Sequence, residues 1–146
     1  MNYIKTCATK QRSGALHITQ KVDYGIILLT TLAKTANGIS IKKIAENYNL
    51  SFLFLQKVAG LLQKSNLVKA TRGKYGGYKL IKNPRKITIK EIIEAIEGNI
   101  AIVPCLVRKT ASVCKHKPYC IVRKGFKKIN DEIQNQLLNK KLSYFI

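Results

Sequence analysis

The sequence predicts a mainly α protein in which a winged helix-turn-helix with a two-stranded wing precedes a long C-terminal helix. Three observations predict this class. Two short amphipathic helical patterns are separated by a tight turn, and a glycine-rich hairpin pattern follows them directly. A stripe of apolar residues at helical spacing then runs through the last quarter of the chain. The 146 residues suffice for one domain with a core and an appendage.

The first three helices are predicted from apolar spacing and from capping residues. The first runs from about residue 19 to 35 and ends before Asn37-Gly38. Ser40 and Ser51 are suited to cap the second and third helices, and residues 47–49 form the turn between them. The apolar positions that share a face are Val22, Ile26, Leu29 and Ala33, then Ile41, Ile44 and Ala45, then Leu55, Val58, Leu61 and Leu62.

A hairpin is predicted directly after the third helix, with strands at 67–72 and 78–81. Gly73, Gly76 and Gly77 supply the positive φ angles that its turn needs. A fourth helix then opens at the capping box Thr88-x-x-Glu91 and ends at Gly98. Its buried face is predicted to consist of Ile89, Ile92, Ile93 and Ile96.

The C-terminal part divides into a loop and a last long helix. The segment 103–120 lacks periodicity and contains Pro104 and Pro118, whereas the helix starts near residue 121. Its narrow apolar stripe consists of Val122, Phe126, Ile129, Ile133 and Leu137. Such a seam suits pairing with a second copy of the chain, and packing across its own domain is the alternative. The predicted organisation is a flexible basic arm (1–17), a winged-helix domain (18–100), a cysteine loop (101–120), and a dimerisation helix with tail (121–146).

The charge balance points to a polyanionic partner. Lys and Arg number 27 against 7 Asp and Glu, which gives a formal charge of +20. Nucleic acid is the first partner expected from such a field, with an anionic membrane surface second. No segment reaches the roughly 18 apolar residues of a membrane span, and no secretory signal is recognisable. We therefore expect a cytoplasmic protein without membrane association, and nonspecific binding to nucleic acid is one open alternative.

Candidate base-reading residues lie at the start of the third helix, because the second helix of a helix-turn-helix enters the major groove. Ser51 and the helix N-terminus can hold a phosphate. Gln56 and Lys57 lie on the outward face and can reach base edges. Leu53 can touch a thymine methyl group. The alternative for each of these side chains is plain solvent exposure.

The tip of the predicted wing supplies a second set of candidates. Arg72 on a narrow hairpin suits a minor groove, where the potential is most negative. Gly73 and Gly76 let the backbone approach phosphates closely, and Lys74 and Tyr75 are expected to contact the DNA backbone. An ordinary hairpin turn is the alternative, but no turn requires an arginine.

Three cysteines, Cys105, Cys114 and Cys120, fall within sixteen residues. In a reducing cytosol such clusters are metal ligands or redox sensors more often than disulfides. Thiolates suit iron–sulfur clusters, zinc and copper(I). His116 is a candidate fourth ligand, and with the three cysteines it would form a closed zinc site. Sensing by unligated thiols is the other alternative.

Taken together, these patterns resemble the Rrf-two family, dimeric winged-helix regulators of the IscR and NsrR type. The resemblance covers about residues 16–140 and is carried by ITQKVDYGIILLTTLA, LVKATRGKYGGYKL, ITIKEIIEAIEG and the three cysteines. The segments IIEAIEGNIAIVPC, C-x5-C and KINDEI are most similar to the regulators of SUF iron–sulfur assembly. The nitric-oxide-sensing NsrR branch is the nearest rival, because its pattern around VDYG is also similar.

The resemblance implies an iron–sulfur cluster on the three cysteines, with [2Fe–2S] favoured over [4Fe–4S], and a homodimer on a double-stranded DNA operator. In the NsrR branch an acidic residue matching Asp23 reaches the partner's cluster. Arg123 stands where the IscR branch has a ligand histidine, and eight residues separate Cys105 from Cys114, more than in IscR. The fourth ligand therefore stays open between Asp23 of a partner, His116 and a small molecule.

The function expected from the resemblance is a regulator that senses iron–sulfur status and controls the genes of iron–sulfur assembly. The alternatives are a nitric-oxide-sensing repressor of the NsrR type and a zinc-stabilised regulator without a cluster. An enzyme is not expected, because the sequence has no Cys-x-x-Cys, no nucleotide-binding glycine pattern and no paired carboxylates near a histidine.

Overall fold

Among the residues that the structure describes, five α-helices and one hairpin follow one another in the order that the spacing predicts. The structure, a computed structural model, describes residues 18–73, 77–107 and 119–146. The elements are α1 (Gln20–Ala33), α2 (Ile41–Tyr48), α3 (Phe52–Lys64), β1 (Val68–Thr71), β2 (Gly77–Leu80), α4 (Ile89–Glu97) and α5 (Arg123–Asn139). Short 3-10 turns lie at Pro104–Leu106 and Leu142–Phe145. The predicted basic arm lies outside the described residues.

The predicted helix caps at Ser40 and Ser51 are confirmed. The Ser40 hydroxyl accepts from the Lys43 N–H at 3.2 Å, and the Ser51 hydroxyl accepts from the Phe54 N–H at 3.4 Å. Each bond satisfies one of the backbone donors that a helix start leaves unpaired. Between α2 and α3, Asn49 adopts the left-handed conformation at φ 52°, which makes the connection a tight turn.

The capping box of α4 forms in one direction. The Thr88 hydroxyl accepts from the Glu91 N–H at 3.0 Å, as predicted. The Glu91 carboxylate accepts from Lys82 Nζ at 2.6 Å, which ties the start of α4 to the segment after β2. The helix ends at Gly98 with φ 82°, a left-handed angle that favours glycine.

The core lies where α1, α3 and α4 meet, and the predicted apolar faces fill it. Ile89, Ile92, Ile93 and Ile96 of α4 are all buried. Of the apolar faces predicted for the first three helices, Val22, Leu29, Ile41, Ile44, Ala45, Leu55, Val58 and Leu62 are buried, and Ile26 and Leu61 pack at the margin. Gly25 lets α1 approach α4 closely, because a Cβ there would overlap Ile96 Cδ1.

The wing is an antiparallel hairpin, and one residue from the segment before α2 pairs with its second strand. β1 and β2 pair with Val68 opposite Leu80 and Thr71 opposite Gly77. Ile39 then bridges to Tyr78, with N–O distances of 3.3 and 2.9 Å, so the segment before α2 extends the sheet. Gly77 makes this possible, because a Cβ there would lie 2.6 Å from the Ile39 carbonyl oxygen.

The C-terminal turn packs back into the winged-helix core, a feature that the sequence analysis did not anticipate. Leu142 has no exposed surface, and its N–H donates to the Ile87 carbonyl at 2.8 Å. The Ile89 N–H donates to the Lys140 carbonyl at 2.9 Å. The end of α5 is thereby attached to the start of α4. Within the described parts of the chain, no helix is long and apolar enough to cross a membrane.

The predicted apolar stripe of α5 divides between two environments. Val122, Phe126 and Ile129 are exposed by 53%, 40% and 49% of their surface. Leu137 instead packs at the margin of the core, and Ile133 is half-buried. The N-terminal half of the helix thus presents apolar surface, while its C-terminal half also packs across its own domain.

Candidate nucleic-acid interface and cysteine segment

The first turns of α3 present an exposed surface that combines apolar and polar side chains. Phe52 and Leu53 are exposed by 42% and 69%, and Gln56 and Lys57 also face solvent. Leu55, Val58 and Leu62 of the same helix are buried, so the exposed positions form one face. The exposed placement of Leu53, Gln56 and Lys57 agrees with the sequence analysis, whereas Phe52 was not singled out there.

An open groove separates this face from the wing. Its lining includes Ser40 and Lys42 at the start of α2, Phe52 and Gln56 of α3, and Thr71 and Gly73 of the wing. The N-termini of α2 and α3 lie at this groove, and at each one a serine hydroxyl pairs a single N–H of the first turn. Helix N-termini of this kind favour anions such as phosphate.

Arg72 stands exposed at the end of β1, immediately before Gly73, whose φ is 118°. The Thr71 hydroxyl donates to the Gly77 carbonyl at 3.1 Å, which closes the hairpin just below this point. The structure therefore places Arg72 and Gly73 where the wing leaves its paired strands. Lys74, Tyr75 and Gly76, the other predicted wing contacts, lie outside the described residues.

The ion pairs are concentrated away from the groove. Within the described ranges, Lys21 pairs with Glu97, Lys82 with Glu91, Lys90 with Glu94 and Lys127 with Asp131. Lys42, Lys57 and Arg72 make no ion pair with any described residue. Their charges are available to an external polyanion.

The two described cysteines both lie in the segment that joins α4 to α5. Cys105 is in the 3-10 turn Pro104–Leu106, and Cys120 comes shortly before Arg123, where α5 begins. Both are free thiols and half-buried. Cys114 and His116, two further predicted ligands, lie outside the described residues. No group of three His, Cys, Asp or Glu side chains suited to a metal occurs among the residues described.

Asp23 lies in the first turn of α1 with its side chain exposed. Four of the seven acidic residues of the chain are ion-paired, whereas Asp23 makes neither a side-chain hydrogen bond nor an ion pair to the described part of the chain. In a protein of net charge +20, this carboxylate is available to a group outside the described part of the chain.

Two side-chain amides of α5 contact the segment that leads to Cys105. The Ile102 N–H donates to Asn130 Oδ1 at 3.2 Å, and Gln134 Nε2 donates to the Ile100 carbonyl at 2.7 Å. Sequence reasoning missed both residues. The available signal was their spacing of four, which places two amides on one face of a helix.

Comparisons with a family model and with known proteins point to the same family. Residues 18–146 match the model of the Rrf2 family, described as an iron-dependent transcriptional regulator. The chain is 34% identical over 107 residues to the regulator NsrR of Shouchella clausii, covering 72% of this chain and 71% of NsrR. It is also 34% identical over 118 residues to CymR of Bacillus subtilis, covering 80% of this chain and 84% of CymR.

Solved structures agree with this result. The structure of CymR, titled the global cysteine regulator of B. subtilis, matches with a TM-score of 0.69 and 32% identity over 88% of this chain and 95% of CymR. IscR of T. potens matches with a TM-score of 0.69 and 27% identity over 89% of this chain and 85% of IscR. The sequence relatives are named as transcriptional regulators, which are not enzymes. The chain therefore belongs to the Rrf2 family of winged-helix, DNA-binding transcriptional regulators.

Proposed function

We propose that this regulator senses iron–sulfur supply through a cluster on Cys105, Cys114 and Cys120, and that the cluster sets its affinity for an operator. The observation that carries the proposal is the placement of two free, half-buried thiols in the segment between α4 and α5, with Cys105 in the 3-10 turn after α4 and Cys120 just before α5. A group bound to both would join the DNA-reading domain to the last helix.

The donor set fits such a group. Thiolates are the usual ligands of iron–sulfur clusters, and [2Fe–2S] remains the favoured type. Three cysteines leave one position for another ligand. Asp23 is a candidate from a partner subunit, because its carboxylate is exposed and unpaired among the described residues. His116 is the candidate within the same loop. A bound cluster would supply a redox- and iron-sensitive link between these points of the chain.

DNA docking would place the exposed face of α3 in the major groove. Gln56 and Lys57 would then meet base edges, with Leu53 against a thymine methyl group and Ser51 near a phosphate. Arg72 would enter the adjacent minor groove. Gly73 and Gly76 would let the wing backbone approach phosphates, with Lys74 and Tyr75 contacting the same backbone.

Dimerisation through α5 would pair two such domains. The exposed part of the stripe, Val122, Phe126 and Ile129, offers apolar surface at the end of the helix nearest Cys120. Two copies paired there would present two α3 helices to half-sites about one helical turn of DNA apart. The middle of α5 is bonded to Ile102 and its C-terminal end is attached to Ile89 at the start of α4. A change near Cys120 would therefore shift the spacing of the two reading helices.

Anaerobic purification with iron and sulfide counts per chain tests the cluster. We expect visible absorption, with iron and sulfide present in equal amounts, and loss of both in Cys105→Ala and Cys120→Ala. Cys7→Ala is the matched control, because Cys7 lies outside the cysteine loop (101–120). This variant should retain the cluster. A colourless protein containing zinc would contradict the proposal and support the zinc-stabilised alternative.

The nitric-oxide-sensing alternative is favoured by Asp23 and by the similarity to NsrR. Stoichiometric nitric oxide added to the anaerobic protein distinguishes the two functions. Release of operator DNA at about one equivalent per cluster would identify a nitric oxide sensor. An assembly sensor should instead respond to loss of the cluster by iron chelation.

A further inference from the structure

We infer that Asn130 and Gln134 are positioning residues that hold residues 100–102, the stretch before Cys105, against α5. They act on the chain just before Cys105, through bonds to the Ile102 N–H at 3.2 Å and the Ile100 carbonyl at 2.7 Å. The inference rests on the proposed cluster for its purpose, but the positioning itself can be measured without a cluster.

The geometry connects the two described thiols through one rigid element. Cys120 leads directly into α5, while Cys105 follows residues 100–102, which the two amides bind. Asn130 and Gln134 are one turn apart on the helix and contact backbone groups two residues apart. Two bonds to such a short segment restrain both its distance from the helix and its register along it.

The side-chain amides bury polar groups at this contact, which lowers stability unless those groups form hydrogen bonds. Residues 100–102 are half-buried, so their backbone groups need partners when water is excluded. Because Gln134 Nε2 donates to Ile100, its Oε1 faces elsewhere, and there it is buried with no hydrogen-bond partner among the described residues. A leucine would avoid the unpaired Oε1, but it would leave the Ile100 carbonyl without its donor. Simple packing therefore does not account for Gln134.

The two amides use opposite chemistry, which gives a sharp set of variants. Asn130 is an acceptor, so Asn130→Asp keeps the bond to Ile102 and Asn130→Leu removes it at similar volume. Gln134 is a donor, so the equally conservative Gln134→Glu loses the bond to Ile100. Plain packing predicts no such difference between the two acidic substitutions.

The primary readout is the rate of alkylation of Cys105 relative to Cys120 in the cluster-free protein, resolved by peptide mass spectrometry. We expect Asn130→Leu and Gln134→Glu to raise this ratio about fivefold, as for one lost hydrogen bond, and Asn130→Asp to leave it unchanged. The second readout is the half-life of the reconstituted cluster under anaerobic iron chelation, which should fall by a similar factor in the same two variants.

Three results would overturn the inference. These are an unchanged ratio in both Asn130→Leu and Gln134→Glu, an equal rise at Cys105 and Cys120, and an Asn130→Asp protein that behaves like Asn130→Leu. If the wild-type chain holds no cluster but the alkylation ratios follow the predicted pattern, the proposed function fails and the positioning stands. Urea unfolding of each variant identifies any that is unfolded, and Gln134→Glu and Asn130→Asp then remain as the deciding pair.

Discussion

Arg72 is exposed where the chain leaves the paired strands of the wing, and it makes no ion pair with a described residue. Its position between Thr71 and Gly73, which both line the groove, follows from local structure, because β1 ends at Thr71 and Gly73 turns the backbone at φ 118°. An arginine so placed is suited to the narrow, electronegative minor groove beside the major groove that α3 is proposed to enter.

Arg72→Ala should weaken operator binding by about 1–3 kcal/mol, because it removes one charged contact from the groove. The measurement is titration of a labelled operator selected from a random-sequence DNA library. Arg85→Ala is the control for loss of charge, because Arg85 is exposed in the turn after β2, away from the groove lining. Equal affinities of the Arg72 variant and the wild type would contradict the proposed contact between Arg72 and DNA.

The roles of some single residues could be predicted from the sequence, and the roles of others could not. Ser40 and Ser51 were predictable because a cap acts on the residues that follow it within one turn. Asn130 and Gln134 were not, because their partners lie 28 and 34 residues away and neither amide differs locally from a solvent-exposed one. The placement of Cys114, His116 and the wing tip stays a prediction.

At the scale of elements, the helices were predictable and the contacts between distant segments were not. The four isoleucines of α4 recur at helical spacing, which predicts one buried face of a helix, and all four are buried. Ile39 and Leu142 lack a comparable pattern, since one residue that joins a sheet or fills a core has no period. Their roles depend on β2 and on Ile87, which only the folded chain brings close.

The C-terminal turn should contribute strongly to stability. Leu142→Ala is expected to lower the free energy of unfolding by about 2–5 kcal/mol, the usual range for a fully buried leucine that leaves a cavity. Leu138→Ala is the matched control, because Leu138 is 47% exposed at the end of α5 and should change stability by less than about 0.5 kcal/mol. Urea unfolding of both variants checks the difference. Equal stability would show that the turn does not stabilise the core.

The exposed part of α5 should control the oligomeric state. Ile129→Glu places a charge in the apolar stripe and is expected to convert a dimer into monomers, because burying an unpaired carboxylate is costly. Asn135→Glu adds the same charge at an exposed position of the same helix and should remain dimeric. Sedimentation velocity separates the two outcomes. A dimeric Ile129→Glu protein would place the interface elsewhere.

At the scale of the whole molecule, the net charge of +20 makes affinity for DNA strongly dependent on salt. If about 6–10 phosphates are contacted, operator affinity should fall by roughly 10³- to 10⁵-fold between about 50 and 200 mM salt. At any one salt concentration the operator should still bind at least about 10³-fold more tightly than unrelated DNA. A ratio near one would favour the nonspecific binder that composition alone leaves open.

The central claim is that the cysteine segment sets operator affinity, and one measurement tests it most directly. The operator dissociation constant is determined for one anaerobic preparation before and after removal of its cluster, at fixed salt. We predict that the two dissociation constants differ by about 5- to 150-fold, the usual range of coupling between two sites. The Cys114→Ser protein should show the dissociation constant of the cluster-free protein both before and after the same treatment. Equal constants before and after removal would contradict the account.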